Sequence, residues 1–152
     1  MGLSPTHLLV AVSVGGNAEL VRGADGGGFL PAIAGYDPDG RLAAGITGLA
    51  DASAIGSVAL ALNPEGEDAR GNSLALRLSV LVEAAARRLT ALAGRLVTAA
   101  VAVLPPDSGQ ASRAALFQAV EAGGLDLLRL VEAEGEPAAA MLEAARLAEA
   151  MR

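Results

Sequence analysis

Val97–Glu132 reads VTAAVAVLPPDSGQASRAALFQAVEAGGLDLLRLVE, and the fold class is decided here. Val97–Leu104 is a short apolar run, β-branched at positions 97, 98, 101 and 103, and Pro105-Pro106 stops it. That length and those flanks favour a buried strand over a helix. Asp107-Ser108-Gly109-Gln110 then reads as a helix start, with Asp107 accepting backbone N–H groups and Gln110 reaching back. Ala111, Ala115, Leu116, Ala119 and Val120 share one helical face, and Gly123-Gly124 supplies a left-handed stop. Leu125–Val131 is the next strand. A strand–helix–strand unit with loops this short implies a parallel pair and a right-handed crossover.

Working outward, Asn72-Ser73 caps a long helix over Leu74–Ala93. Leu74, Leu78, Leu81, Val82, Ala85, Leu89 and Leu92 lie on one face, Arg77 and its fellow charges lie elsewhere, and Gly94 ends the helix. Toward the amino terminus, Met1–Thr6 reads as a loose end and His7–Val14 as a first buried strand. Gly15-Gly16-Asn17 reads as a tight turn and Ala18–Arg22 as a returning strand. Gly23–Gly28 is a glycine-rich turn. Phe29–Tyr36 reads as a third strand in which Pro31 marks an edge or an irregular start. Asp37-Pro38-Asp39-Gly40 is a turn, followed by a short strand over Arg41–Ile46. The stretch 48–71 is the least legible: Ala50–Ile55 suggests a helical turn, and Val58–Leu62 a short strand or helix. After the central unit, Pro137 suits the first position of a helix over Pro137–Met151, with Glu143–Arg146 and Glu149–Arg152 as i,i+3 pairs.

These 152 residues suit one domain with a real core. The chain is 53% hydrophobic but only 2% aromatic, so the core is alanine, leucine and valine. The net charge is −6, and all 11 basic residues are arginine. An acidic chain almost without aromatic rings is a poor nucleic-acid binder, because phosphates need positive charge and single strands need stacking surfaces. Without cysteine there is no disulfide framework, thiol chemistry or cysteine-based zinc site, which fits a cytoplasmic protein. Leu8–Val14 is too short to span a membrane and lacks a basic flank, so no membrane association is expected.

From about Leu81 to Glu132 the text resembles the actin-like ATPase domain of DnaK-type heat-shock chaperones, without a gap. The matching residues include Gly94, Val97, Thr98, Ala100, Val101, Val103, Pro105, Ala111, Arg113, Ala119, Gly124, Leu125, Leu128 and Arg129. Glu136-Pro137 and the alanines after it resemble that family's "EPTAAA", after a short insertion and without its threonine. Leu30–Tyr36, Asp39-Gly40 and Ala44-Gly45 resemble, more weakly, the family's early text. The resemblance implies an α/β, ribonuclease-H-like single lobe: a mixed sheet built from a hairpin and then strand–helix–strand units, with helices packed on it. Residues 1–152 would be the first lobe alone, with its small subdomain trimmed and the second lobe and peptide-binding domain absent.

The resemblance also points to residues. Ser13-Val14-Gly15-Gly16-Asn17 would stand where the family has its phosphate loop, with Ser13 in place of the metal-holding aspartate. Ser13, Gly15, Gly16, Asn17 and Glu136 would then form a vestigial nucleotide site; as ordinary structure, they are a hairpin turn and a residue preceding a helix. The family's catalytic lysine has no counterpart, because the chain contains no lysine. With the metal carboxylate, the cation and the second clamp all missing, phosphoryl transfer is not expected. No catalytic residue and no metal ligand is assigned, and the expected cofactor complement is none, with at most weak ATP or ADP binding. Pro105 and Arg113 match the family's relay residues, or are a strand terminator and a solvated helix residue. His7 is the single histidine and reads as structural. The expected role is a non-catalytic interaction module acting through a homo-oligomer or a protein partner. The alternative is an ATP- or ADP-binding protein whose cleft is completed by dimerisation or by a second polypeptide.

Overall fold

The computed structural model describes residues 1–45 and 48–151. In chain order its elements are β1 (Gly2–Leu3), β2 (His7–Val14), β3 (Asn17–Val21), β4 (Leu30–Pro31), β5 (Ile33–Tyr36), β6 (Leu42–Ala44), β7 (Ala50–Ala54), α1 (Ser57–Leu62), α2 (Leu74–Ala93), β8 (Ala99–Leu104), α3 (Gln110–Ala122), β9 (Asp126–Glu132) and α4 (Pro137–Ala150). The result is a mixed α/β fold. The main sheet runs β3-β2-β1-β8-β9, with β4 also paired to β2. β2 is antiparallel to both β1 and β3, whereas β8 is parallel to β1 and to β9. A second sheet, β6-β5-β7, is antiparallel. Leu8, Val10, Ala100, Ala102 and Leu104 face the core built with α2 and α3. Val101 and Val103 face α4 on the other side, against Ala140, Met141 and Ala144. This alternation along β8 is the period-two signature of a strand buried on both faces.

The central unit has the expected parallel strand–helix–strand order, and Ser73 caps α2 by accepting from the Leu76 amide at 3.2 Å. Gly94 ends α2 in the left-handed region. Several expectations fail, each for a physical reason. Met1–Thr6 is no loose end: Gly2 pairs with Leu9 on one side and Val103 on the other, so β1 joins the antiparallel half of the sheet to the parallel half. Phe29–Tyr36 is not one strand, because Ala32 donates to the Thr6 carbonyl and accepts from Ile55, and the chain changes sheets there. Ala50–Ala54 is a strand, held by pairing to β5, rather than a helical turn. Val58–Leu62 is helical. The Asp107 side chain does not cap α3; Gly109 stands at that position, and Asp107 sits at φ 60° in the loop before it. Ile46, expected to end β6, lies outside the described residues.

Two side chains on α2 also depart from the helical wheel. Leu92 is exposed, while Arg77 is only 9% exposed and donates to Ser53 Oγ and to the Gly66 carbonyl, both at 3.3 Å. The stretch 63–73 is folded around it by polar contacts. The Tyr36 hydroxyl donates to Asp68 Oδ2, and Asn72 Nδ2 donates to the Tyr36 hydroxyl at 2.6 Å. Asp68 Oδ1 accepts from the Arg70 and Asn72 amides, both at 2.9 Å. Arg70 stacks on the Tyr36 ring and pairs with Asp51 at 2.9 Å. The hydrogen bond from Tyr36 holds the Asp68 carboxyl below the usual carboxylate range, and the same bond pushes the Tyr36 phenol up.

A β-carbon on Gly2 would lie 3.0 Å from Met141 Sδ and 3.1 Å from Val103 Cβ. Gly2→Val therefore overpacks the seam between β1 and α4 and costs about 1–3 kcal/mol in urea unfolding; an unchanged midpoint would remove β1 from the sheet centre. Because the folded Asp68 carboxyl titrates below its unfolded value of 3.8, its contribution is complete above that pH and lost as pH falls through the folded value. Asp68→Ala should flatten the acid limb of the stability profile. Identical acid limbs in the two proteins would contradict this.

Candidate functional site

β1, β8 and β9 run in one direction, so their carboxyl ends share one edge of the sheet, where open α/β sheets receive ligands. A cleft of about 180 Å³ lies there. Ser4 and Pro5 from the β1–β2 turn, Pro105 and Pro106 after β8, and Ala133 and Gly135 after β9 form its rim, with Met141 among the residues of its wall. None of the described residues lining it is ionisable. Ser4 Oγ is already engaged, accepting from the His7 amide at 3.0 Å and donating to the His7 carbonyl at 3.2 Å. The Ser4 carbonyl is tied to the Ser57 amide at 3.0 Å. Pro5 has no amide hydrogen to offer an anion. Such a wall can enclose an apolar group, but it carries no general acid or base, no nucleophile activated by a neighbour, and no cation.

The five residues singled out in the sequence do not converge. Glu136 is exposed at the amino end of α4, between two residues that line the cleft, and its side chain makes no capping bond. Ser13, Gly15, Gly16 and Asn17 lie at the β2–β3 turn, beside the carboxyl end of α4. The 14 residues of α4 separate the two groups by about 20 Å. The tight glycine turn is present but one residue shorter than expected, because Asn17 pairs with Val14 and opens β3; φ is 60° at Gly15 and 80° at Gly16.

That turn does bind an anion, and the anion is the protein's own. Glu149 on α4 accepts from the Gly15 amide at 2.5 Å, the Gly16 amide at 3.1 Å and the Ser13 hydroxyl at 2.6 Å. Arg146 Nε donates to the Gly16 carbonyl at 3.4 Å. Successive amides in such a turn form a concavity suited to one carboxylate or phosphate oxygen pair, and here α4 fills it. The pair that helical spacing suggested between Glu149 and Arg152 lies outside the described residues. A contact across more than a hundred positions leaves no local signal in the sequence.

Pro105 lines the cleft, and Arg113 pairs with Glu132 at 2.8 Å, joining α3 to β9 at the half-exposed surface. His7 is not alone: its Nδ1 lies 2.8 Å from Thr6 Oγ1 and its Nε2 lies 2.7 Å from Asp25 Oδ2. Bonding to His7 lowers the Asp25 pKa. Although this is the order of a hydroxyl–imidazole–carboxylate relay, Thr6 and Asp25 are exposed and none of the three lines the cleft. Its evident work is to clasp the glycine-rich turn, where a β-carbon on Gly27 or Gly28 would meet the imidazole side chain within 2.6 Å. Among the described residues, no three His, Asp or Glu side chains gather closely enough to hold a metal ion. Among them, too, no helix is long and apolar enough to cross a membrane.

No protein-family model matches the chain, and no curated protein is significantly similar to it.

Glu149→Ala hands two exposed turn amides and the Ser13 hydroxyl over from a charged acceptor to water and should lower the unfolding midpoint. Amide exchange at Gly15 and Gly16 should speed up in this variant while exchange in α3 remains slow. Unchanged protection at the turn would show that Glu149 does not hold it.

Proposed function

We propose that the chain is a cytoplasmic, non-catalytic interaction module, built like the first lobe of a DnaK-type, ribonuclease-H-like ATPase domain and acting through self-association or a protein partner. The observation that carries the reading is the cleft at the carboxyl ends of β1, β8 and β9, whose described lining has no ionisable group. Phosphoryl transfer rests on positioning and on charge stabilisation by metal carboxylates and cations, and a wall of serine, proline, glycine and aliphatic side chains supplies neither. The order β3-β2-β1-β8-β9, antiparallel on one side of β1 and parallel on the other, supports the ribonuclease-H-like reading. With β1 as first strand, the position of a phosphate loop is the Ser4-Pro5-Thr6 turn rather than Ser13–Asn17. Pro5 withholds an amide there, and Ser4 offers a hydroxyl already in use. The β2–β3 turn, for its part, is occupied by Glu149. Absence of cysteine fits a reducing compartment.

Calorimetric titration with Mg-ATP and Mg-ADP, alongside sedimentation of the free chain, tests the reading. The expected outcome is no binding heat up to millimolar nucleotide and a mass above that of the monomer. Micromolar binding coupled to ATP-dependent dimerisation would overturn it in favour of a nucleotide cleft completed by a second chain.

A further inference from the structure

The cleft at the carboxyl ends of β1, β8 and β9 is framed by stiff segments. Four of the residues lining it are prolines: Pro5 in the β1–β2 turn, Pro105 and Pro106 after β8, and Pro137 at the start of α4. Each ring fixes its own φ at about −65°, so these segments resist folding inward to fill the opening. Hydrogen bonds hold two of them further. The Ser57 amide donates to the Ser4 carbonyl at 3.0 Å, and Ser108 Oγ donates to the Pro105 carbonyl at 2.6 Å. A cavity set in advance loses little ordering entropy when it is occupied.

Size and chemistry select the occupant. An apolar cavity of about 150 Å³ holds one benzene molecule, and this cleft measures about 180 Å³, the room for one substituted six-membered ring. Met141 is in its wall with the prolines. A thioether sulfur packs well against an aromatic ring, and proline rings pack against aromatic faces. Because no described lining residue is ionisable, a charged group entering the cleft would lose water without gaining a partner. The rim differs. Asp107, Glu134 and Glu136 are exposed, and each adjoins a lining residue in the sequence. Among the described residues, none of these three carboxylates has an ion-pair partner, and the single arginine of α3, Arg113, is taken up by Glu132 at 2.8 Å. The chain's net charge of −6 adds to this local negative potential.

We propose that the cleft docks a protein partner that inserts one uncharged aromatic side chain, phenylalanine or tyrosine, and sets flanking arginine or lysine residues against Asp107, Glu134 and Glu136. The buried ring anchors the contact, and the flanking cations speed encounter and fix orientation. The carboxylates come from two loops, Asp107 before α3 and Glu134 and Glu136 before α4. The partner therefore brings a cation for each loop, which a peptide segment provides and a small monovalent amine does not. This inference rests on the interaction-module reading in its protein-partner form. Its test measures peptide binding at one cleft, whereas that reading is tested by nucleotide heat and by mass, so either can fail alone.

The probe is the blocked peptide acetyl-Gly-Arg-Phe-Arg-Gly-amide, titrated into the isotope-labelled chain and followed by amide chemical shifts and calorimetry. Saturable binding is expected, with shifts centred on the amides of Ser4, Ser57, Ala133 and Gly135, and with affinity falling as salt rises. Replacing the peptide's phenylalanine by alanine, or both its arginines by glutamate, should weaken binding by about tenfold or more. Phenethylamine, which carries the ring and one cation, should bind more weakly than the peptide by a similar factor. In the protein, Ser57→Phe places a ring on the wall of the cleft and should weaken binding likewise. The exposed pair Glu134→Arg and Glu136→Arg guards against misfolding of that variant. It should keep a cooperative melting transition, lose affinity for the arginine peptide and gain affinity for the glutamate one. No saturable binding, shifts centred elsewhere, an alanine or glutamate peptide as tight as the first, phenethylamine matching the peptide, or either protein variant binding the arginine peptide unchanged would each overturn the proposal.

Discussion

The two-residue ladder at Gly2–Leu3 is the constraint on which the rest of the sheet depends. β2 and β3 form a hairpin from local sequence alone, and β8, α3 and β9 form a parallel unit from theirs. The two halves meet through β1 and through α4, which packs on both. β1 sets the backbone register, antiparallel on one side and parallel on the other. Glycine at position 2 is what lets α4 lie against the seam, because any β-carbon there would press on Met141 and Val103.

A core nearly without aromatic rings makes such close approaches general. Gly123 brings α3 so near α2 that an added β-carbon would lie 2.6 Å from Val82 Cγ1. Small side chains bury little area each, so the helices must come near the sheet to keep interior packing density. Polar contacts between elements distant in sequence then fix orientation. Glu149 pins α4 to the β2–β3 turn, Arg77 pins α2 to β7 and the loop before α2, and Tyr36 with Asp68 pins that loop to β5. These side chains use charge and hydrogen bonding to set positions that a uniform aliphatic surface would leave free to slide.

The candidate site was legible in parts but not as a whole. The glycines at 15 and 16 marked a tight turn, and the chain does turn there, with both glycines at positive φ. Which anion their amides meet was invisible, since Glu149 arrives from the opposite end of the chain. His7–Val14 reads in the sequence as the first strand, because two residues of β1 are too few to show periodicity. The neutral cleft at the carboxyl ends of the parallel strands likewise draws its rim from three loops far apart in the sequence.

By itself, the sequence determined the elements whose signals are local. These are the parallel unit around β8, α3 and β9, the long α2 with its serine cap and glycine stop, the tight β2–β3 hairpin, and α4 opened by proline. Periodicity, caps and turn residues act within a few positions, and those forces survive whatever the remaining chain does. Tertiary structure decided the elements that exist only through pairing: β1, β4 and β7, the switch between sheets at Ala32, the burial of Arg77, and the internal carboxylate in the turn. A strand of two to five residues has no stability of its own and no period long enough to read. Its hydrogen bonds and its partners come entirely from segments brought beside it by the folded chain.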